Sequence, residues 1–218
     1  MIIGICGLAN SGKDSIADYL MEYRPEFTKI KMAHHLKDVV SLLFGMDRKM
    51  LEGETPEDRE KREVVDEYWN DKVYDDLKPF TPRKALQYFG TNLLRNQMCE
   101  DMWVACLEKN IKDKNLDNIV ISDVRFPNEI DMIRKLGGVI IRVERGERPE
   151  YWKKAEELGT YARLYNRKLD DFDAELKGVH SSEWQWIGYD NPDVIILNDG
   201  TLEDLKNKVN IQIISKYF

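Results

Sequence analysis

The sequence predicts an α/β fold built on a five-stranded parallel sheet, and three observations carry that reading. An apolar run, Ile2-Ile3-Gly4-Ile5-Cys6, opens the chain and passes directly into the glycine-bearing stretch Gly7-Leu8-Ala9-Asn10-Ser11-Gly12-Lys13. Four further short apolar runs follow, Phe27 to Met32, Asn118 to Ser122, Val139 to Val143 and Asp193 to Leu197. Between them apolar residues recur at helical spacing, and strands that alternate with helices form βα units of a parallel sheet.

The elements follow in order. After the first strand, Ile16, Tyr19, Leu20 and Tyr23 fall at i, i+3, i+4 and i+7 and predict a helix. Leu36, Val39, Val40 and Leu43 mark the next helix, Leu86, Phe89 and Leu93 another, and Trp103, Leu107 and Ile111 a third. Ile130, Ile133 and Leu136 predict a helix after the third strand, with Asn128 as its cap. Leu202, Leu205, Val209 and Ile213 mark the last, and Thr201 with Asp204 three residues on supplies a capping pair. Residues 45–82 are dense in charge and read most simply as a solvated helical face. Residues 145–190 separate two strands by more than a crossover needs and mix Arg145, Arg148, Lys153 and Lys154 with Tyr151, Trp152, Trp184 and Trp186. Long insertions of this kind serve as lids over a site or as structural helical hairpins.

At 218 residues the chain suits one α/β domain with insertions. Its formal net charge of −7 argues against a protein that coats nucleic acid or an anionic membrane. Three cysteines without a C-x-x-C pair argue against a disulfide framework or a zinc site and fit a reducing cytoplasm. With no signal-peptide pattern and no 18-residue apolar run, a soluble protein starting at or near Met1 is expected.

The chemistry concentrates at the ends of strands. Gly7 and Gly12 let the loop backbone curl so that successive N–H groups face phosphate oxygens, with Asn10 and Ser11 between them. Lys13 adds a point charge for the β/γ-phosphates, and the following helix N-terminus adds its dipole. The position after such a lysine is usually Ser or Thr, whose hydroxyl ligates Mg²⁺; here it is Asp14, followed by Ser15. Either residue supplies a hard oxygen, so Mg²⁺ remains the expected ion and the choice between them stays open. Ile119-Val120-Ile121-Ser122-Asp123 is an apolar strand ending in a carboxylate, placed to reach a metal held at the phosphates. Arg125 stands two residues on, suited to a bidentate phosphate contact or to a salt bridge with the next helix. Arg83, Gln87, Gly90 and Thr91 fall on one helical face, which offers a guanidinium, an amide for a base edge and a glycine for close approach, or a plain polar stripe.

Taken together these blocks resemble the phage deoxynucleoside monophosphate kinases, a branch of the P-loop nucleoside monophosphate kinase-like proteins. The resemblance rests on Gly7 to Asp18, on Leu36-Lys37-Asp38, on Pro82-Arg83-Lys84-Ala85-Leu86-Gln87-Tyr88-Phe89-Gly90-Thr91, and on Ser122-Asp123-Val124-Arg125-Phe126-Pro127-Asn128-Glu129. Leu136-Gly137-Gly138, Ile141-Arg142-Val143-Glu144-Arg145, His180-Ser181-Ser182-Glu183 and Asn198-Asp199-Gly200-Thr201-Leu202 complete it in family order. Asp after the loop lysine is usual in this family. The resemblance is weakest over residues 45–75 and 146–179.

The resemblance implies a P-loop NTPase three-layer fold with a monophosphate-binding insertion at 34–95 and a lid insertion at 145–190. It implies transfer of the ATP γ-phosphoryl group to a deoxynucleoside monophosphate, with small-molecule substrates, no nucleic-acid polymer and no membrane, in a homodimer located in the cytoplasm, the host's if the protein is phage-encoded. In that reading Lys13 and the loop (Gly7, Asn10, Ser11, Gly12, Asp14, Ser15) hold ATP, Asp14, Ser15 and Asp123 surround Mg²⁺, and Lys37, Arg83, Gln87, Gly90 and Arg125 take the acceptor. Arg145 belongs to the lid on the ATP side. His180 and Glu183 receive no chemistry. A P-loop kinase of another small acceptor, such as a dephospho-coenzyme A-like substrate, would lack the 82–91 block, and a GTPase-like switch would carry NKxD and DxxG motifs that are absent here.

Overall fold

The computed structural model describes residues 1–218, the side chain of Asp173 excepted. In chain order the elements are β1 (Ile2–Gly7), α1 (Lys13–Tyr23), β2 (Thr28–Ile30), α2 (His34–Phe44), α3 (Arg48–Glu52), α4 (Pro56–Lys61), α5 (Glu67–Asn70) and α6 (Pro82–Gln87). They continue with a π-helical stretch (Tyr88–Met98), α7 (Met102–Lys114), β3 (Ile119–Ile121), α8 (Pro127–Lys135), β4 (Val139–Glu144) and α9 (Trp152–Tyr165). A 3₁₀ stretch (Leu169–Leu176), α10 (Ser181–Trp184), β5 (Val194–Leu197), α11 (Leu202–Val209), a second π-helical stretch (Asn210–Ile214) and α12 (Ser215–Tyr217) close the chain. All five strands fall on the runs expected of them, β1 and β4 each extending one residue further, to Gly7 and Glu144. The chain divides into two compact units, one of Met1–Lys31 with Ile111–Phe218, the other of Met32–Asn110.

The first unit holds the sheet, in the order β2-β3-β1-β4-β5, with every pairing parallel. β1 is central, its Gly4 registered with Ile121 and its Gly7 with Val143. The loop after β1 and the residues after β3 therefore leave the sheet at the same carboxyl edge, where ligands of open α/β sheets bind. Ile3, Ile5, Val120, Ile141, Val143 and Ile196 pack with Ile16 and Leu20 of α1 and with Leu205, Val209 and Ile213 near the C-terminus. Side chains of this kind stabilise the fold by roughly 1.5–3 kcal/mol each on burial. That core fixes the floor of the site.

Residues 145–190 fold into this same unit. Trp152, Ala155, Leu158 and Ala162 of α9 are buried, as are Trp184 and Trp186 beyond it. Arg142 of β4 grips Asp190 through two hydrogen bonds, Nε to Oδ2 at 2.7 Å and Nη2 to Oδ1 at 2.5 Å, with no part of Asp190 exposed. Trp152, Trp184 and Trp186 thus serve the packing of the segment.

The second unit has its own core of Leu36, Val40, Met46, Leu51, Phe80, Ala85 and Trp103, bordered by Phe44 edge-on to Trp69 at 5.1 Å. Within the charge-dense stretch, α4 buries no residue and starts from a Thr55–Asp58 capping box, as a solvated helix should. Two helical faces differ from expectation. In α2, Leu36 and Val40 are buried but Val39 and Leu43 are exposed, and Lys37 is buried in their stead. Its ammonium can turn inward because Glu52 of α3 receives it at 2.6 Å. After Gln87 the backbone becomes π-helical, which lengthens each turn and breaks the i+7 and i+8 spacing on which the Arg83-Gln87-Gly90-Thr91 face depended. Gly90 is buried, a Cβ there would stand 2.7 Å from Leu36, and its carbonyl accepts the Trp103 indole N–H at 2.9 Å. The close approach that Gly90 permits is taken by its own core.

Candidate active site

The loop between β1 and α1 is shaped by positions that tolerate no side chain. A Cβ on Gly7 would meet the Val143 carbonyl at 2.5 Å, and one on Gly12, whose φ is +104°, would meet the Asn198 amide at 2.5 Å. Asn10 adopts the left-handed conformation at φ 61°, which Asn accepts more readily than most residues. From beyond β5, Asn198 donates to the Ser11 carbonyl at 2.8 Å and clamps the loop from the far side. The Ser11 hydroxyl is buried and has no hydrogen-bond partner among the described residues.

Lys13 folds back over this curl, its ammonium donating to the carbonyls of Gly7 at 2.9 Å and Leu8 at 2.6 Å. Burial first, then the nearby Arg125 cation, push its pKa down to about 8, while Asp14, Glu183 and Cys6 act in the opposite sense. A cation held by neutral carbonyls beside another cation is under-neutralised, the state in which an anionic ligand gains most.

Asp14 is engaged on the other flank. Its Oδ1 accepts from Ser122 Oγ at 2.8 Å and pairs with Lys29 at 2.9 Å and Lys31 at 3.7 Å. Burial works against its ionisation, but the Lys29 hydrogen bond, Lys31 and Ser122 prevail and hold its carboxyl below the ordinary range. Ser15 is exposed on the first turn of α1, and Asp123 lies half-buried two residues past β3. Among the described residues no three His, Cys, Asp or Glu side chains converge into a ready-made metal cage. The oxygens of Asp14, Ser15 and Asp123 are of the hard kind that Mg²⁺ takes, one or two from protein and the rest from phosphates and water. The orphaned Ser11 hydroxyl, the inward-curled loop and the under-neutralised Lys13 suit a polyphosphate.

Arg125 completes the edge. Its backbone N–H donates to Glu129 Oε2 at 2.7 Å, and Phe126 N–H donates to the same oxygen at 3.2 Å. Glu129 thereby closes the N-terminus of α8, and Asn128, expected as the cap, sits inside the first turn instead because Phe126 is the residue that precedes the helix. The guanidinium turns from α8 altogether: Nη1 donates to Glu183 Oε1 at 3.1 Å and to the Ser182 carbonyl at 3.4 Å. Arg145 is exposed just past β4. In the second unit, Arg83 is half-exposed and pairs with Glu63 at 3.3 Å. There Lys37 shares Glu52 with Arg48, and Gln87 is half-buried at the end of α6.

Sequence reasoning missed Lys29, Lys31, Asn198 and the partnership of Glu183 with Arg125. The lysines had a signal, since they stand two apart in an extended run and so share one face. Contacts spanning 58 and 187 residues, as those of Glu183 and Asn198 do, had none.

A phosphate loop closing the central strand of a parallel sheet, a lysine opening the helix behind it and an arginine at the neighbouring strand end define a P-loop α/β protein built for phosphoryl groups. Residues 46–163 match the family model for deoxynucleotide monophosphate kinase. A relative in Acanthamoeba polyphaga mimivirus that carries the family's name is 35% identical over 158 residues, covering 66% of this chain and 74% of its own. The deoxynucleotide monophosphate kinase of Enterobacteria phage T4 is 24% identical, over 95% of this chain and 96% of its own. The chain belongs to the deoxynucleotide monophosphate kinase family. Among solved structures, a dephospho-CoA kinase from Campylobacter jejuni covers 99% of this chain and 96% of its own at 16% identity and a TM-score of 0.45, a likeness that bears on neither acceptor nor mechanism.

Proposed function

We propose that the protein transfers the γ-phosphoryl group of ATP to a deoxynucleoside monophosphate, giving the diphosphate and ADP, at the carboxyl edge of its sheet. The observation that carries the assignment of the site is the meeting of Lys13 and Arg125 beside the phosphate loop, two cations with donors left for anions. The attacking group is a phosphate oxygen of the acceptor, already a good nucleophile, so the protein needs no covalent intermediate and acts by alignment and charge neutralisation.

In this reading the loop amides and the Ser11 hydroxyl take the ATP phosphates, and Lys13 exchanges the carbonyls of Gly7 and Leu8 for phosphate oxygens. Asp14, Ser15 and Asp123 would be the oxygen donors for Mg²⁺; Oδ1 of Asp14 already accepts from Ser122 and faces the ammoniums of Lys29 and Lys31. When bound, Mg²⁺ supplies neutralisation of the phosphate charge and a template for the in-line path. Arg125 grips the phosphoryl groups with the side of its guanidinium turned from Glu183. Lys37, Arg83 and Gln87 are the further candidates for the acceptor, the two cations exchanging Glu52 and Glu63 for phosphate. Residues 145–190 with Arg145 exclude water, which would otherwise consume ATP. Among the described residues no helix is long and apolar enough to cross a membrane; a cytoplasmic location and a homodimer complete the proposal.

A coupled ADP-release assay over deoxynucleoside and ribonucleoside monophosphates, with dephospho-coenzyme A as a third class, tests the acceptor. Turnover confined to, or far higher with, at least one deoxynucleotide supports the reading. Turnover with dephospho-coenzyme A alone overturns it.

A further inference from the structure

The assigned reaction leaves Glu183 and the turn that carries it without a task. The turn is itself well determined: His180 Nδ1 accepts from Ser182 N–H at 3.3 Å and lies 2.9 Å from Ser182 Oγ, while Trp184 and Trp186 beside it are fully buried. Two acceptors on this turn, the Ser182 carbonyl and Glu183 Oε1, converge on one nitrogen of Arg125. Both partners of that guanidinium sit on Nη1. Nε and Nη2 have no protein partner among the described residues, although the residue is only 37% exposed. These two nitrogens form the edge that meets two oxygens of a phosphate in a fork.

We infer that Glu183 is a positioning residue for the phosphoryl-transfer step, holding Nη1 of Arg125 so that the Nε–Nη2 edge stands ready for a phosphate. The inference rests on the reading of Arg125 as a phosphate-binding residue. An arginine side chain has about 2 kcal/mol of rotamer freedom to lose when it is fixed. A carboxylate and a carbonyl anchored in a buried turn fix it before the ligand arrives, and the edge they leave open is the bidentate one. The carboxylate also offsets the repulsion between Arg125 and Lys13, two cations near enough to perturb each other. Because the turn closes the 145–190 segment, the segment would set catalytic geometry from its base, in addition to any covering role.

The experiment is a double-substitution cycle in the intact chain: wild type, Glu183→Ala, Arg125→Ala and the pair, with Glu183→Gln as a milder variant that keeps an acceptor oxygen. Each is assayed for dNDP formation with the best deoxynucleotide, and each is checked for its thermal transition. Glu183→Ala should lower kcat/KM by about tenfold in the wild-type background, with Glu183→Gln losing less. On the Arg125→Ala background the same substitution should cost less than about twofold, since its effect passes through an absent group. Losses that multiply in the double variant would show that Glu183 acts on the fold and would overturn the inference, as would full activity in Glu183→Ala. If Glu183→Ala fails to fold, the same cycle run with Glu183→Gln decides on the same criterion. Full activity in Arg125→Ala alone would instead bring down the reading of Arg125 on which the inference stands.

Discussion

Lys13 shows how one side chain can be poised by its surroundings. Its ammonium rests on two loop carbonyls, and burial together with Arg125 brings its pKa to about 8. Deprotonated, it loses its charge for the phosphates, so kcat/KM for ATP should fall as pH rises through about 8, while kcat, measured with phosphates already bound, should fall only at higher pH. Stability responds with the opposite sign. Between about 8 and the ordinary lysine value near 10.4 the unfolded chain binds a proton that the folded chain does not, so this group's contribution rises with pH across that window. A pH series of ATP kinetics beside urea unfolding checks both trends, and Lys13→Met should remove the second. The arginines make a separate prediction. Arg125→Ala and Arg83→Ala should each raise KM for the monophosphate far more than KM for ATP, lowering kcat/KM by one to two decades for a charge-assisted contact of roughly 1.5–3 kcal/mol. Equal effects on both substrates would place the arginine between the two phosphates, and no effect would return it to its salt bridge. Lys13, Arg125 and the loop glycines were legible because the motif states backbone requirements. Lys37 was legible as a cation but not as a buried one, since nothing in its neighbours announces Glu52.

β1, β3 and β4 were readable as elements because a strand buried on both faces needs an apolar run, whereas β2 and β5, at the sheet's edges, are buried only in part. Helix termini were readable where a side chain does the capping: Thr201 with Asp204 closes α11 as expected. They were unreadable where the cap comes from inside the helix, as with Glu129 at α8. The π-helical stretch after α6 leaves no mark on the sequence pattern, so a face drawn at ordinary helical spacing was carried past the point where it holds. The 145–190 segment was recognisable as an excess of length, but the purpose of its tryptophans was not, because their burial depends on partners distant in the chain. The strut between β4 and that segment is the Arg142–Asp190 pair. Burial pushes the Asp190 carboxyl up despite Arg142 beside it, so the pair imposes geometry more than it adds stability. Asp190→Ala would leave the Arg142 guanidinium buried without its main partner and should cost about 3–5 kcal/mol in urea unfolding at neutral pH. A loss under 1 kcal/mol would mean that Glu144 and Glu156, at 3.5 and 3.6 Å, neutralise Arg142 unaided.

Over the whole molecule, a net charge of −7 coexists with a site that must attract anions. Lys13 and Arg125 stand near enough to perturb each other, while Lys29 and Lys31 pair with Asp14 on the other flank. Local capture of this kind suits a small anionic substrate. The family was legible from the serial order of short blocks, each of which encodes a turn, a strand end or a helix start. The acceptor's base and sugar were not, because no motif in the sequence dictates which side chains would meet them. The central claim is that the loop and Lys13 hold the phosphates that react. The direct measurement is the transfer of a labelled γ-phosphoryl group from ATP to a deoxynucleoside monophosphate by wild type and Lys13→Ala, with the thermal transition of each recorded. Labelled diphosphate should form in the wild type and fall by about a thousandfold or more in Lys13→Ala, with the fold intact, because the lysine acts on ligand and not on the core. Transfer by Lys13→Ala within tenfold of wild type would contradict the claim.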